Sequence, residues 1–164
     1  MSNVVSPSMF SVILAAVDGS ERSAGVLRAA AEIARGFGGR VHLYRFITIP
    51  QDFPAAARMP PDKLPAFLVA EARRVLQMLA AGYSDVVIEE PAVNDPPETW
   101  QGILKAGNRL DANLIVIGSH GYRGWDHLLG TTAANVVNRA DRSVLVVHDR
   151  PSRSGKEVSK GAPG

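Results

Sequence analysis

The 164-residue sequence contains no cysteine. A disulfide framework and any Cys-based zinc site are therefore excluded, and a reducing compartment suits the chain. Long apolar runs are missing too. The first, Phe10 to Val17, meets Asp18 after eight residues, far short of the roughly 20 needed to cross a bilayer. Residues 2–9 lack the positive charge of a secretory leader. The expected location is the cytoplasm, without membrane contact. Charge of one sign is also scarce. The net charge is +2, and residues 149–164 carry all of it in four basic and two acidic side chains. Residues 1–148 are then neutral, which argues against a broad nucleic-acid surface. The same terminal stretch has almost nothing apolar to bury, which predicts a disordered basic tail. No internal repeat is present, no Gly-x4-Gly-Lys-(Ser/Thr) phosphate loop, and no acidic cluster built for Mg²⁺.

What is present is enough apolar material for one core, 46% of the residues. Five runs stand out: Ser11–Val17, Arg40–Phe46, Val86–Glu90, Leu114–Ile117 and Ser143–Val147. They are rich in Val, Ile and Leu without strict alternation, as strands buried on both faces are. Between them apolar residues recur at helical spacing. Ala24, Leu27, Ala30, Ala31 and Ala34 form the first stripe, halted at Gly36-Phe37-Gly38-Gly39. Leu68, Ala72, Val75, Leu76 and Leu79 form the second, which ends at Gly82. Trp100, Ile103, Leu104 and Gly107 form the third, and Leu128, Leu129, Thr132, Ala133, Val136 and Val137 the fourth. Alternating strands and helices predict an α/β fold, an open doubly wound five-stranded parallel sheet with helices on both faces. Residues 10–148 form the domain, 1–9 a flexible N-terminus and 149–164 the tail. A long proline-bearing loop spans about Thr48 to Lys63, either a lid or a passive excursion.

Ligands of open parallel sheets bind beyond the carboxyl ends of the strands, where the strand order reverses. The order 2-1-3-4-5 would put that point between strands 1 and 3, the order 3-2-1-4-5 between strands 1 and 4. The suggestive residues end strands 1 and 4: Val17-Asp18-Gly19-Ser20 and Gly118-Ser119-His120-Gly121. The chemistry favours 3-2-1-4-5. After strand 4, Gly118, Gly121 and Gly124 allow close backbone approach and positive φ. Gly130-Thr131-Thr132 opens the last helix, whose free N–H groups and dipole suit an anion. The hydroxyls of Thr131 and Thr132 add donors, and Arg123 offers a cation to a phosphate. Asp18 can accept hydrogen bonds from an adenine or ribose. Alternatively Asp18, or Ser20, is the N-cap of the first helix. His120 and His127 with Asp126 lack a third ligand at metal spacing, so no metal site is expected.

These residues resemble the universal stress proteins. The resemblance runs from about Ser11 to Val147 and is carried by ILAAVDGSERS, by GSHGYRGWDHLLGTTAANVVNRADRSVLVVH and by the alternation between them. It implies the strand order 3-2-1-4-5. ATP-binding members carry Gly-x2-Gly-x9-Gly-(Ser/Thr), which Gly118, Gly121, Gly130 and Thr131 match in type. Only eight residues separate Gly121 from Gly130 here, as in a bacterial subgroup that also opens its last helix with Leu-Leu-Gly-(Ser/Thr). The family also implies that Asp18 and the backbone of Phe46 hold the base, with Ser119 and His120 in the loop. The ligand is then ATP, with or without Mg²⁺, and the partner a second copy paired through Ser143–Val147.

The leading reading is an ATP-binding stress-response module with a regulatory output. No catalytic constellation is visible, although slow ATP hydrolysis or autophosphorylation on Ser119, Thr131 or Thr132 stays open. The eight-residue spacing keeps a nucleotide-free dimeric scaffold as an alternative. An adenylating ligase would need a second substrate site for which one sheet leaves little room. A phosphoacceptor receiver would need an Asp where Glu89-Glu90-Pro91 stands and a Lys where His148 stands.

Overall fold

The structure, a computed structural model, describes residues 8–49, 64–93, 98–119 and 129–148. Among these residues seven strands and four helices follow one another in the order β1 (Val12–Ala16), α1 (Ser23–Phe37), β2 (Arg40–Tyr44), β3 (Phe46–Ile47), α2 (Leu64–Ala80), β4 (Val86–Ile88), β5 (Ala92–Val93), α3 (Thr99–Arg109), β6 (Leu114–Gly118), α4 (Thr131–Arg139) and β7 (Ser143–Val147). The main sheet has the order β4-β2-β1-β6-β7, and every pairing in it is parallel. Counted over the five long runs, that is 3-2-1-4-5, as expected.

The runs of β1, β2 and β6 are continuous because both faces of the middle of the sheet are covered. The outer strands β4 and β7 are only partly buried, with Val87 and Leu145 exposed, against the expectation of burial on both faces. Ile13, Ala15 and Val17 point into one layer with Val26, Leu27 and Ala30 of α1 and Leu76 of α2. Leu14 and Ala16 point into the other with Ile103 and Ala106 of α3 and Ala133 and Val136 of α4. Period-two side-chain alternation thus serves two cores at once. Helix α1 ends where its glycines predict: Gly38 takes the left-handed conformation at φ 66, and Gly39 N–H returns to the Ala34 carbonyl at 2.8 Å.

The strand edges differ from the sequence reading. The second run does not stay in one strand to Phe46. The chain leaves the main sheet at Arg45, and Phe46–Ile47 pairs with Ala92–Val93 in a separate two-stranded parallel sheet. The third run counts as strand only to Ile88, although the Glu89 N–H still donates to the Leu43 carbonyl of β2 at 2.9 Å, and the side chains of Glu89 and Glu90 engage neighbouring elements. Glu89 joins two elements: its Oε1 lies 2.7 Å from His42 Nδ1 on β2, and its Oε2 accepts from Arg109 of α3 at 2.9 Å. Glu90 pairs with Arg73 of α2. In α4, Val137 is exposed rather than part of the buried stripe, which consists of Ala133 and Val136. Leu128, the loop 50–63, the tail 149–164 and residues 1–7 lie outside the described residues.

Candidate functional site

Strand β1 delivers Val17 and Asp18 beside the end of β2, where Val17 N–H donates to the Tyr44 carbonyl at 2.9 Å. Asp18 then ties the following turn together. Its Oδ1 accepts from Ser20 N–H at 3.0 Å, from the Ser20 hydroxyl at 2.7 Å and from the Ser23 hydroxyl at 3.1 Å. Ser23, buried, accepts in turn from Gly19 N–H at 3.0 Å. This corrects the capping alternative. The N-cap of α1 is Arg22, without a side-chain cap, and neither Asp18 nor Ser20 fills that position. The carboxylate organises an Asx-type turn instead. Gly19 has φ +84, and a Cβ there would come within 2.8 Å of the Arg45 guanidinium. The turn requires glycine for its conformation first and for space second.

Strand β6 runs one residue further than expected and ends in Gly118, paired with Val147. Gly118 is extended and does not use the positive φ that the sequence reading allowed it. Ser119 N–H donates to the Val147 carbonyl at 2.9 Å and so prolongs the ladder. On the far side, α4 begins at Thr131 with Gly130 as N-cap and no side-chain cap. The first N–H with an internal helical partner is that of Ala134, which donates to the Gly130 carbonyl at 2.9 Å. The N–H groups of Thr131, Thr132 and Ala133 precede it. Gly130 adopts φ −59 and ψ 153, a conformation open to any residue.

These ends enclose a cavity of about 230 Å³ at the switch point between β1 and β6. Val17, Asp18 and Arg22 form its β1–α1 side, Gly118 and Thr132 its β6–α4 side. The third side is Phe46 with Thr99 and Ile103. Phe46 seats its ring on α3 because Gly102 has no side chain: a Cβ there would lie 2.2 Å from the ring. Thr99 is held by a 2.7 Å hydrogen bond between its hydroxyl and that of Thr48.

Of the residues singled out in the sequence, Asp18, Phe46, Gly118 and Thr132 come together at this cavity. Gly130 and Thr131 directly precede Thr132 at the start of α4, but neither they nor Ser119 are among the lining residues. His120, Gly121 and Arg123 lie outside the described residues. Sequence reasoning missed Arg22 and Thr99. Arg22 is the cation that lines the cavity among the described residues. Its signal was its place four residues past Asp18, at the mouth of the first crossover. No group of three or more His, Asp or Glu able to hold a metal occurs among the described residues.

Residues 9–148 match the family model described as the universal stress protein family. The chain belongs to the universal stress protein family. Universal stress protein A homolog 1 of Coxiella burnetii (strain RSA 493 / Nine Mile phase I) is 30% identical over 142 residues, which cover 82% of this chain and 94% of that protein. Among solved universal stress proteins, one in complex with cAMP superposes with a TM-score of 0.56 at 23% identity, covering 85% of this chain and 97% of that one. Another, from Archaeoglobus fulgidus in complex with dAMP, gives 0.53 at 22%, covering 84% and 96%. The universal stress protein fold accounts for the strand order.

Proposed function

We propose that this universal stress protein binds an adenine nucleotide, ATP in particular, in the cavity between β1 and β6. One observation carries the reading. A roughly 230 Å³ space at the switch point has the uncapped start of α4 on one side and an apolar wall of Phe46 and Ile103 on another. The first-turn N–H groups of α4 suit a phosphate, and Arg22 adds a positive charge. The apolar wall suits the flat adenine, and Asp18, at the end of β1, suits its polar edge or the ribose. The family members solved with cAMP and dAMP support this assignment, since both ligands carry adenine and a phosphate. With no phosphate-loop lysine in the sequence, the output is regulatory, the nucleotide acting as a signal.

Isothermal titration of the full chain with ATP, AMP and adenosine tests the reading. Saturable binding of ATP, tighter than that of adenosine, is expected. Absence of binding for all three would favour the nucleotide-free scaffold. A homodimer through β7 belongs to the same proposal. Among the described residues that strand pairs with β6 on one edge and with no strand on the other, and Leu145 on it is exposed.

A further inference from the structure

Helix α3 carries a buried glycine, Gly102, within its first half. Glycine is unfavourable inside a helix, because it loses the most backbone freedom on folding. Its backbone conformation does not call for glycine, since φ at Gly102 is not positive. Space does. A Cβ on Gly102 would overlap Cγ, Cδ2 and Cε2 of the Phe46 ring. The missing side chain is the seat of that ring.

Phe46 has little freedom to give way. Its backbone is fixed by the pairing of β3 with β5, where it stands opposite Ala92, and Ala92 N–H donates to the Arg45 carbonyl at 3.2 Å. The side chain shares a core with Ile103 and Ala106 of α3. Two spaces flank α3. Phe46 lies on the wall of the switch-point cavity, whereas Gly102 lies on the wall of the other, of about 480 Å³, which Phe46 does not line. The open side of the ring is therefore the switch-point cavity, and a ring pushed off its seat moves into it. Interiors are packed too closely for the displacement to be absorbed elsewhere.

A nucleotide whose phosphates sit at the start of α4 reaches toward Phe46 with its base. The height of the ring then decides how long a base fits. A purine fills that depth and touches the wall, while a pyrimidine stops short and forfeits the contact. We propose that Gly102 is a positioning residue for base recognition: it lets the Phe46 ring lie back on α3, and the depth so created selects purine over pyrimidine nucleotides. The inference rests on the nucleotide reading above and adds to it what sets the choice of base.

The test is isothermal titration of the full chain and three variants with ATP and CTP, with circular dichroism to confirm folding. The parent is expected to prefer ATP about tenfold or more. Gly102→Ala drives the ring into the cavity and should weaken ATP about tenfold but CTP only about twofold. Phe46→Trp brings more ring into the cavity with Gly102 kept. It should lower the same preference, and it decides the matter if Gly102→Ala does not fold. Gly102→Ala combined with Phe46→Leu gives the new methyl group room, and should bind ATP at least about threefold tighter than Gly102→Ala alone. A parent that binds neither nucleotide would reject the nucleotide reading and this inference with it. A parent that binds both equally would overturn this inference alone. So would an unchanged preference in folded Gly102→Ala or Phe46→Trp, or a double variant no better than Gly102→Ala. Parallel loss of ATP and CTP would reduce Gly102 to a structural residue and overturn it as well.

Discussion

Arg22 and Gly19 show how differently two neighbours in one turn act. Arg22 is the N-cap of α1, but its side chain makes no capping hydrogen bond and instead lines the cavity. Its replacement should therefore leave the fold intact and change ligand selectivity. Arg22→Ala is expected to weaken ATP about three- to tenfold and adenosine hardly at all, because a guanidinium reads phosphate; isothermal titration of both ligands separates the two. Gly19 is the reverse case. At φ +84 any side chain is strained, while the Arg45 guanidinium that a Cβ would meet is the mobile end of a long chain and can move aside. Conformation, not contact, sets the penalty. Gly19→Ala should cost about 1–2 kcal/mol, seen as a lower denaturant midpoint with unchanged slope. Asp18 was legible in the sequence as a polar residue ending a strand, but its role was not. Three hydrogen bonds onto one oxygen depend on where Ser20 and Ser23 fold back, which spacing alone does not specify.

Helix α4 carries the phosphate end of the proposed site, and its start supports a clean experiment. Gly130 sits at φ −59 and ψ 153, so valine fits there without backbone strain. Gly130→Val should keep native circular dichroism yet lose at least about tenfold in ATP affinity, since a branched side chain would crowd the first-turn N–H groups. Unchanged affinity in the folded variant would remove the phosphate from α4. The link from β4 to α3 gives a second prediction. Burial raises the Glu89 carboxyl, but His42 and Arg109 together outweigh that and hold it below the ordinary carboxylate range. Its contribution to stability is present above the unfolded-state pKa and is lost as pH falls through the lower folded value. Thermal melts should show Glu89→Gln less stable near neutrality by about 1–2 kcal/mol, with the gap closing in acid. The central strands β1, β2 and β6 were readable because burial on both faces leaves a continuous Val, Ile and Leu signature, and β7 shares that composition although Leu145 is exposed. The pair β3 and β5 was not, since two residues each carry no periodicity. Val137 fitted the helical stripe of α4 yet lies outside its buried face, because the spacing gives a face and not its width. Arg22 and Thr99 belong to no motif and reach the cavity only through topology.

At the scale of the whole molecule, the sheet has two unlike edges. Strand β4 is three residues long, whereas β7 offers five, Ser143–Val147, with Leu145 exposed. Short edges resist pairing and longer apolar ones invite it. Sedimentation at about 50 µM is expected to give a dimer, well above a micromolar-range Kd, and Leu145→Glu to shift it toward monomer with the melting curve little changed. A monomer in the parent chain would reject the pairing. Between those edges runs β1, whose odd-numbered residues belong to one core and whose even-numbered residues belong to the other. Such a strand tolerates no change of phase. Loss or gain of a single codon between Ile13 and Val17 would exchange the two sets of side chains and turn Asp18 away from its serines. With Ile13, Leu14 and Ala15 fully buried, volume-conserving exchanges are the changes this strand can absorb, whereas an insertion or deletion within it would displace every side chain at once, so length changes are expected in the segments that join the elements.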